Sequence, residues 1–226
     1  MNNSPIILAL DSAEIPRCVD LINQTRDSVA IYKIGLEFFN KNGVSGVQKL
    51  KNETRELSLF LELKHHNIPN TVAGACRSLK EIAPDFLTVH AGGGDAMIAA
   101  AVTELPKTCI TAVTVLTSLD DQTLEKMGFK HGAELAVSLA DHAVAAGARA
   151  IVTSPKEVAL LRPRFPRSIK LITPGVRPKE STDDQARTAT PISAISAGSD
   201  YLVIGRPITG AANPNQAAAE IFASLN

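Results

Sequence analysis

Glu62 and Lys64 stand two residues apart at the end of an apolar run, Leu57-Ser58-Leu59-Phe60-Leu61, and a proline-marked loop, Asn67-Ile68-Pro69-Asn70-Thr71, follows them. Residues two apart on an extended backbone point to the same side. Burying one charge alone is very costly, and burying two opposite charges together is tolerable only with good geometry and further partners. These residue types therefore point to acid–base chemistry at a strand end, with a lysine that can deliver a proton and a carboxylate that keeps it charged. The opposed reading is an edge strand with one wet face. The run before Glu62 argues against it, because it reads as a strand buried on both faces.

Other groups join this pair only if the fold gathers them. Lys33 follows the run Val29-Ala30-Ile31-Tyr32, and Asp11 follows Ile6-Ile7-Leu8-Ala9-Leu10. Asp11 has two roles open to it, capping the next helix or accepting from a ligand hydroxyl. His90 closes Asp85-Phe86-Leu87-Thr88-Val89 before Gly92-Gly93-Gly94, a setting that favours a structural hydrogen bond over an acid–base role. His65 and His66 fall in the loop after Lys64 with neither a His-x-x-x-His spacing nor a neighbouring acidic pair, so no metal is expected. Late in the chain, Pro174-Gly175-Val176-Arg177-Pro178 and Gly205-Arg206-Pro207 each put a glycine beside an arginine. Glycine lets backbone approach a ligand closely, and arginine supplies a permanently charged fork, so these two loops predict an anion site.

The elements that must position these groups alternate. Apolar strand-like runs begin near Ile6, Val29, Leu57, Asp85, Ile110, Arg149, Lys170 and Tyr201, each followed by a segment with helical spacing. Eight such units in 226 residues leave no room for a linker, and predict a single (β/α)8 barrel over residues 1–226. An open Rossmann sheet is the alternative, but Asp11-Ser12-Ala13-Glu14 is no dinucleotide loop. In a barrel the strand ends share one rim, which collects Asp11, Lys33, Glu62, Lys64, His90, Thr117, Ser118, Pro174, Gly175, Gly205 and Arg206. Loops after the seventh and eighth strands of such barrels commonly hold phosphate. The polar loop from Pro174 to Gln185 is a candidate lid.

Composition narrows the class. Lys plus Arg equals Asp plus Glu at 23 each, so general attraction to nucleic acid or an anionic membrane is not expected. No apolar run approaches membrane-spanning length, and Met1-Asn2-Asn3-Ser4-Pro5 has no basic region leading into an apolar segment; a cytoplasmic protein is expected. Cys18, Cys76 and Cys109 are widely spaced and read as buried, reduced thiols.

The chain resembles the orotidine 5′-phosphate decarboxylase family in its compact bacterial form, over essentially its whole length. The matching pieces are Leu-Ala-Leu-Asp ending at Asp11, Tyr32-Lys33-Ile34-Gly35, Leu-x-Leu-Lys-x-His-x-Ile-Pro-Asn-Thr ending at Thr71, Val89-His90, Leu116-Thr117-Ser118, Thr173 through Pro178, Asp184-Gln185-x-Arg187, and Tyr201 through Pro207. The resemblance implies a homodimer that converts orotidine monophosphate to uridine monophosphate without metal or organic cofactor. It implies that Lys64 protonates C6 of the pyrimidine, that Lys33 lies near the ribose, and that Asp11 holds ribose hydroxyls. Thr117 and Ser118 would lie toward the base, while Gln185, Arg177 and Arg206 close on the phosphate. Asn67, Ile68 and Thr71 would reach into the partner subunit's site, so a monomer should be inactive.

The sequence departs from the family pattern at the acid positions of Asp-x-Lys-x-x-Asp, which here read Glu62, Lys64 and Asn67. The array changes from two positive and two negative groups to two positive and one negative. Fewer negative charges favour binding an anionic substrate, yet rate depends on preferring the transition state, so slower turnover is expected. Two rivals stand beside this reading. One is a magnesium-dependent phosphosugar lyase related to keto-gulonate phosphate decarboxylases and hexulose phosphate synthases, which would need a carboxylate where Lys33 stands. The other is a non-catalytic uridine nucleotide-binding protein.

Overall fold

The structure, a computed structural model, describes residues 3–55, 57–129, 131–178 and 189–225. The strands are β1 (Ile6–Leu10), β2 (Ile31–Ile34), β3 (Leu59–His65), β4 (Phe86–His90), β5 (Cys109–Val113), β6 (Ala150–Val152), β7 (Lys170–Thr173) and β8 (Tyr201–Ile204). They pair in parallel and in sequence order, and β1 closes on β8 through Ile6 opposite Leu202. The expected closed barrel is therefore present. Helices α1 (Ile15–Thr25), α2 (Leu36–Glu53), α3 (Pro69–Ser78), α4 (Asp95–Glu104), α5 (Asp121–Lys126) and α6 (Gly132–Ala145) return the chain through the first half of the barrel. Then come α7 (Pro155–Leu161), α8 (Pro191–Ala197), α9 (Arg206–Thr209) and α10 (Pro214–Ala223). No described helix is long and apolar enough to cross a membrane.

Side-chain alternation divides the core into two layers. Ile7, Ile31, Phe60, Val113, Ala150, Val152 and Ile172 fill the barrel interior. Their neighbours one residue along, among them Leu8, Leu59, Leu61, Ile151 and Leu171, face the helices. Phe60 is fully buried and its ring lies 5.6 Å from that of Phe86, so the barrel floor is packed rather than open. Thr88 and Thr111 lie buried within β4 and β5, while the charged groups of the barrel interior lie toward the strand ends at the cavity. Asp85 and Asp200 fix the opposite ends of neighbouring strands, accepting backbone N–H bonds from Leu59 and Leu171 at 2.8 Å each.

Several boundaries differ from the sequence-based expectation. The third strand starts at Leu59 rather than Leu57 and runs on to His65, so His65 lies in the sheet and not in the loop. Its helix begins at Pro69, because proline is favoured in the first turn where its missing N–H costs nothing. The fifth strand ends at Val113, and residues 114–116 leave the sheet before reaching the rim. The polar segment after Ser118 contains the short helix α5, started by Asp120, whose side chain accepts from the Thr123 N–H at 2.8 Å.

Candidate active site

The strand ends open into a cavity of about 750 Å³. Its floor is apolar, with Ala9, Val113, Val152 and Val203 rising from four strands, and Val115 and Leu116 adding the wall after β5. Charged groups stand on this floor, and the innermost of them, Lys33 and Glu62, are largely shielded from solvent.

At the centre are the three residues that the sequence singled out. The Lys33 ammonium lies 2.7 Å from Glu62 Oε2, and the Lys64 ammonium lies 2.8 Å from Glu62 Oε1. One carboxylate thus engages both lysines, one per oxygen. Asp11 stands 3.6 Å from Lys33 on the more open side. Exposure falls inward, from 59% for the Asp11 side chain to 32% for Lys64, 18% for Glu62 and 8% for Lys33. Burial by itself pushes the Lys33 ammonium toward neutrality, but Glu62 and then Asp11 carry its pKa above the ordinary value. Burial likewise pushes the Glu62 carboxyl up, and the two lysines outweigh it and hold its pKa below the usual glutamate value. Glu62 is therefore a carboxylate at neutral pH, flanked by positive charge.

The same-side placement of Glu62 and Lys64 was expected from an extended backbone, but the backbone at Lys64 is not extended. Lys64 has φ of +47°, and the β3–β4 register shifts between Leu61 and His65. A non-glycine residue in that conformation is strained by about 1–3 kcal/mol and persists where its surroundings hold it. Thr88 on β4 supplies the hold, its hydroxyl accepting the Lys64 N–H at 2.8 Å. This irregularity aims the Lys64 side chain back at Glu62 rather than out along the strand.

Among the remaining expected site residues, Asp11, Thr117, Ser118, Pro174, Gly175, Arg177, Gly205 and Arg206 all line the cavity. Asp11 is no helix cap, since Glu14 precedes α1 and makes no side-chain capping bond. Arg177 is 7% exposed, which is unusual for a guanidinium, and one of its nitrogens donates to the Val176 carbonyl at 3.1 Å. Gly205 is a close approach point, because an added Cβ would sit 3.2 Å from the Asp11 carboxylate. Gln185, part of the expected lid, lies outside the described residues.

Asn67, Ile68 and Thr71 do not line the cavity of their own chain. They are exposed beyond the end of β3, Ile68 at 67%, and the Asn67 side chain accepts from the Ile68 N–H. The chain turns outward into α3 after Lys64, so these three residues lie outside the cavity of their own chain. His90 takes the structural role expected of it. Its Nδ1 accepts the Gly92 N–H at 3.1 Å, and its ring stacks on His66 at 4.9 Å. Burial, then the neighbouring His66 and Lys64 charges, hold its pKa below the ordinary histidine value. Among the described residues there is no cluster of three or more His, Cys, Asp or Glu side chains suited to a metal ion.

Three polar residues at the cavity, Arg17, Thr153 and Thr209, went unnoticed in the sequence. Arg17 lines it from the first turns of α1 and donates to the Thr209 carbonyl at 3.4 Å, and Thr153 lines it at the end of β6. Arg17 gave no signal because its direction depends on how α1 packs, whereas Thr153 looked like the end of an ordinary apolar run.

Residues 4–221 match the family described as Orotidine 5'-phosphate decarboxylase / HUMPS. The orotidine 5′-phosphate decarboxylase of Thermobifida fusca is 49% identical over 98% of this chain and 96% of its own length. That of Frankia casuarinae is 44% identical over 99% of this chain and 88% of its own. The crystal structure of orotidine 5′-phosphate decarboxylase from Lactobacillus acidophilus superposes with a TM-score of 0.86 at 33% identity, covering 99% of both chains.

Proposed function

Because this chain belongs to the orotidine 5′-phosphate decarboxylase / HUMPS family, we propose that it is a carboxy-lyase converting orotidine 5′-monophosphate to uridine 5′-monophosphate and carbon dioxide in pyrimidine biosynthesis. The observation that carries this reading is the Lys33–Glu62–Lys64 array at the centre of the cavity, with Arg177 and Arg206 at its edge. The arginines, with backbone at Gly175 and Gly205, take the phosphate. Asp11 and Lys33 take the ribose, and Thr117 and Ser118 lie toward the base. The bond between C6 and the substrate carboxylate breaks, carbon dioxide leaves, and the electron pair left on C6 takes a proton from the Lys64 ammonium. Glu62 keeps that ammonium charged until it is needed, and the apolar floor excludes competing water. No step calls for a metal or an organic cofactor.

Glu62 and Asn67 bear on the rate rather than on the type of reaction. Glu62 carries its charge one methylene further than an aspartate would, toward the position of the substrate carboxylate, and Asn67 carries none. An array that suits the bound anion gives up some preference for the transition state, so turnover is slow for the family. The outward placement of Asn67, Ile68 and Thr71 supports a homodimer in which each chain completes the other's site.

Release of carbon dioxide from orotidine monophosphate tests the reading directly. Wild type should turn over without added metal and in the presence of a chelator. Lys64→Ala should lose about a thousandfold in kcat while still binding uridine monophosphate, in line with removing a positioned acid. A wild type that binds uridine monophosphate but releases no carbon dioxide would identify a nucleotide-binding relative, and dependence on magnesium would point to a phosphosugar lyase.

A further inference from the structure

Arg17 lines the cavity together with Arg206, Thr209 and Gly210, and it is an exposed residue, open to a ligand. It reaches them because α1 follows β1, α9 follows β8, and β1 and β8 are neighbours in the closed barrel. Its Nη2 donates to the Thr209 carbonyl at 3.4 Å. Among the described residues it forms no ion pair, and Glu14, three residues before it, pairs with Lys41 instead. Nor does α1 gain from it. Arg17 stands in the first turn, which holds no acidic residue, and a cation there opposes the partial positive charge of the helix N-terminus. An arginine that its own helix disfavours and no carboxylate neutralises has its charge available to a ligand.

Its place on the rim says which part of a ligand it faces. Arg206 starts α9 and Thr209 ends it, and a helix of that length spans only about 6 Å. The bond to Thr209 thus holds the Arg17 guanidinium over the same short helix that carries Arg206. Among the described residues, the cationic side chains lining the cavity are Arg17, Lys33, Lys64, Arg177 and Arg206, against the carboxylates of Asp11 and Glu62. Both carboxylates are engaged with the lysines, so the positive excess lies at the arginine end, where a phosphate with about two negative charges is the best-matched part of a nucleotide. We propose that Arg17 is a third phosphate-binding arginine, donating to the phosphate of the bound nucleotide through the guanidinium N–H groups that Thr209 does not engage. This assignment rests on the nucleotide reading of the site given above.

Methionine keeps much of the arginine stem and removes the charge, while lysine keeps the charge without the fork. Calorimetric titration of wild type, Arg17→Met and Arg17→Lys with uridine monophosphate and with ribose 5-phosphate tests the assignment. Arg17→Met should bind both ligands about tenfold more weakly at low ionic strength, as expected for a lost charge-assisted hydrogen bond to a group that both share. Arg17→Lys should recover about threefold or more of that loss. The gap between wild type and Arg17→Met should narrow as salt rises from about 0.05 M to about 0.5 M, because screening weakens an exposed charge, whereas a residue that only props α9 would leave a gap indifferent to salt. Affinity of Arg17→Met within about twofold of wild type, a loss confined to uridine monophosphate, a gap unchanged by salt, or a lysine variant as weak as the methionine one would overturn the assignment. Failure of the wild type to bind uridine monophosphate would overturn the nucleotide reading instead.

Discussion

Replacing Glu62 by glutamine preserves shape and removes the carboxylate that Lys33 and Lys64 share at 2.7 and 2.8 Å. Lys33 is only 6% exposed, so the change strands a buried ammonium. Breaking a buried pair by removing one partner costs about 3–5 kcal/mol. Asp11 remains 3.6 Å from Lys33, though its own side chain is more than half exposed and screened, so the low end, about 3 kcal/mol, is expected. For a chain of this length that lowers Tm by about 6–12 °C. The pH dependence gives a second handle. The Glu62 pKa lies below its ordinary 4.5, so its stabilisation is complete above that value and is lost as pH falls through the folded-state pKa. The Lys33 pKa lies above its ordinary 10.5, so its stabilisation is complete below that value and is lost as pH rises through the folded-state pKa. The gap between wild type and Glu62→Gln should therefore be widest between about pH 5 and pH 10 and shrink at both extremes. Thermal unfolding followed by circular dichroism across that range measures it. A glutamine variant that melts within about 2 °C of wild type at pH 7 would show that the three groups are not energetically coupled.

Restoring aspartate at both altered positions, Glu62→Asp with Asn67→Asp, should raise kcat for orotidine monophosphate at least about tenfold, because rate is sensitive to small displacements of the charged array. Steady-state kinetics of the double variant decide it, and an unchanged or lower kcat would mean that glutamate and asparagine are already well suited to the reaction. Gly198→Ala should lower stability by about 1–3 kcal/mol. Gly198 ends α8 with φ of +112°, and an added Cβ would come within 2.6 Å of Arg162 Cγ, beside the Arg162–Asp200 pair. Chemical denaturation should show a lower midpoint with an unaltered slope, while the fully folded variant keeps wild-type affinity for uridine monophosphate.

The barrel was legible because its cause is local. Apolar runs such as Ile6–Leu10 and Tyr201–Ile204 match the strands residue for residue, since both faces of a parallel barrel strand are buried and each residue must be apolar. Reading failed where hydrogen bonding and backbone geometry cut across composition. Thr114, Val115 and Leu116 look like strand but leave the sheet, and His65 looks like loop but pairs with β4 opposite Val89. The grouping of Asp11, Lys33, Glu62 and Lys64 followed from the barrel alone, because parallel strands bring their ends to one rim.

What the tertiary structure decided was direction and partnership. Residue types and spacing determined that two lysines and a carboxylate would share the rim. They did not determine that one carboxylate bridges both lysines, that a shift in the β3–β4 register turns Lys64 toward Glu62, or that Thr153 is buried with its hydroxyl unpaired. The physical reason is range: strand and helix formation answer to neighbours along the chain, whereas side-chain aim, burial and charge pairing depend on groups that folding brings from distant segments.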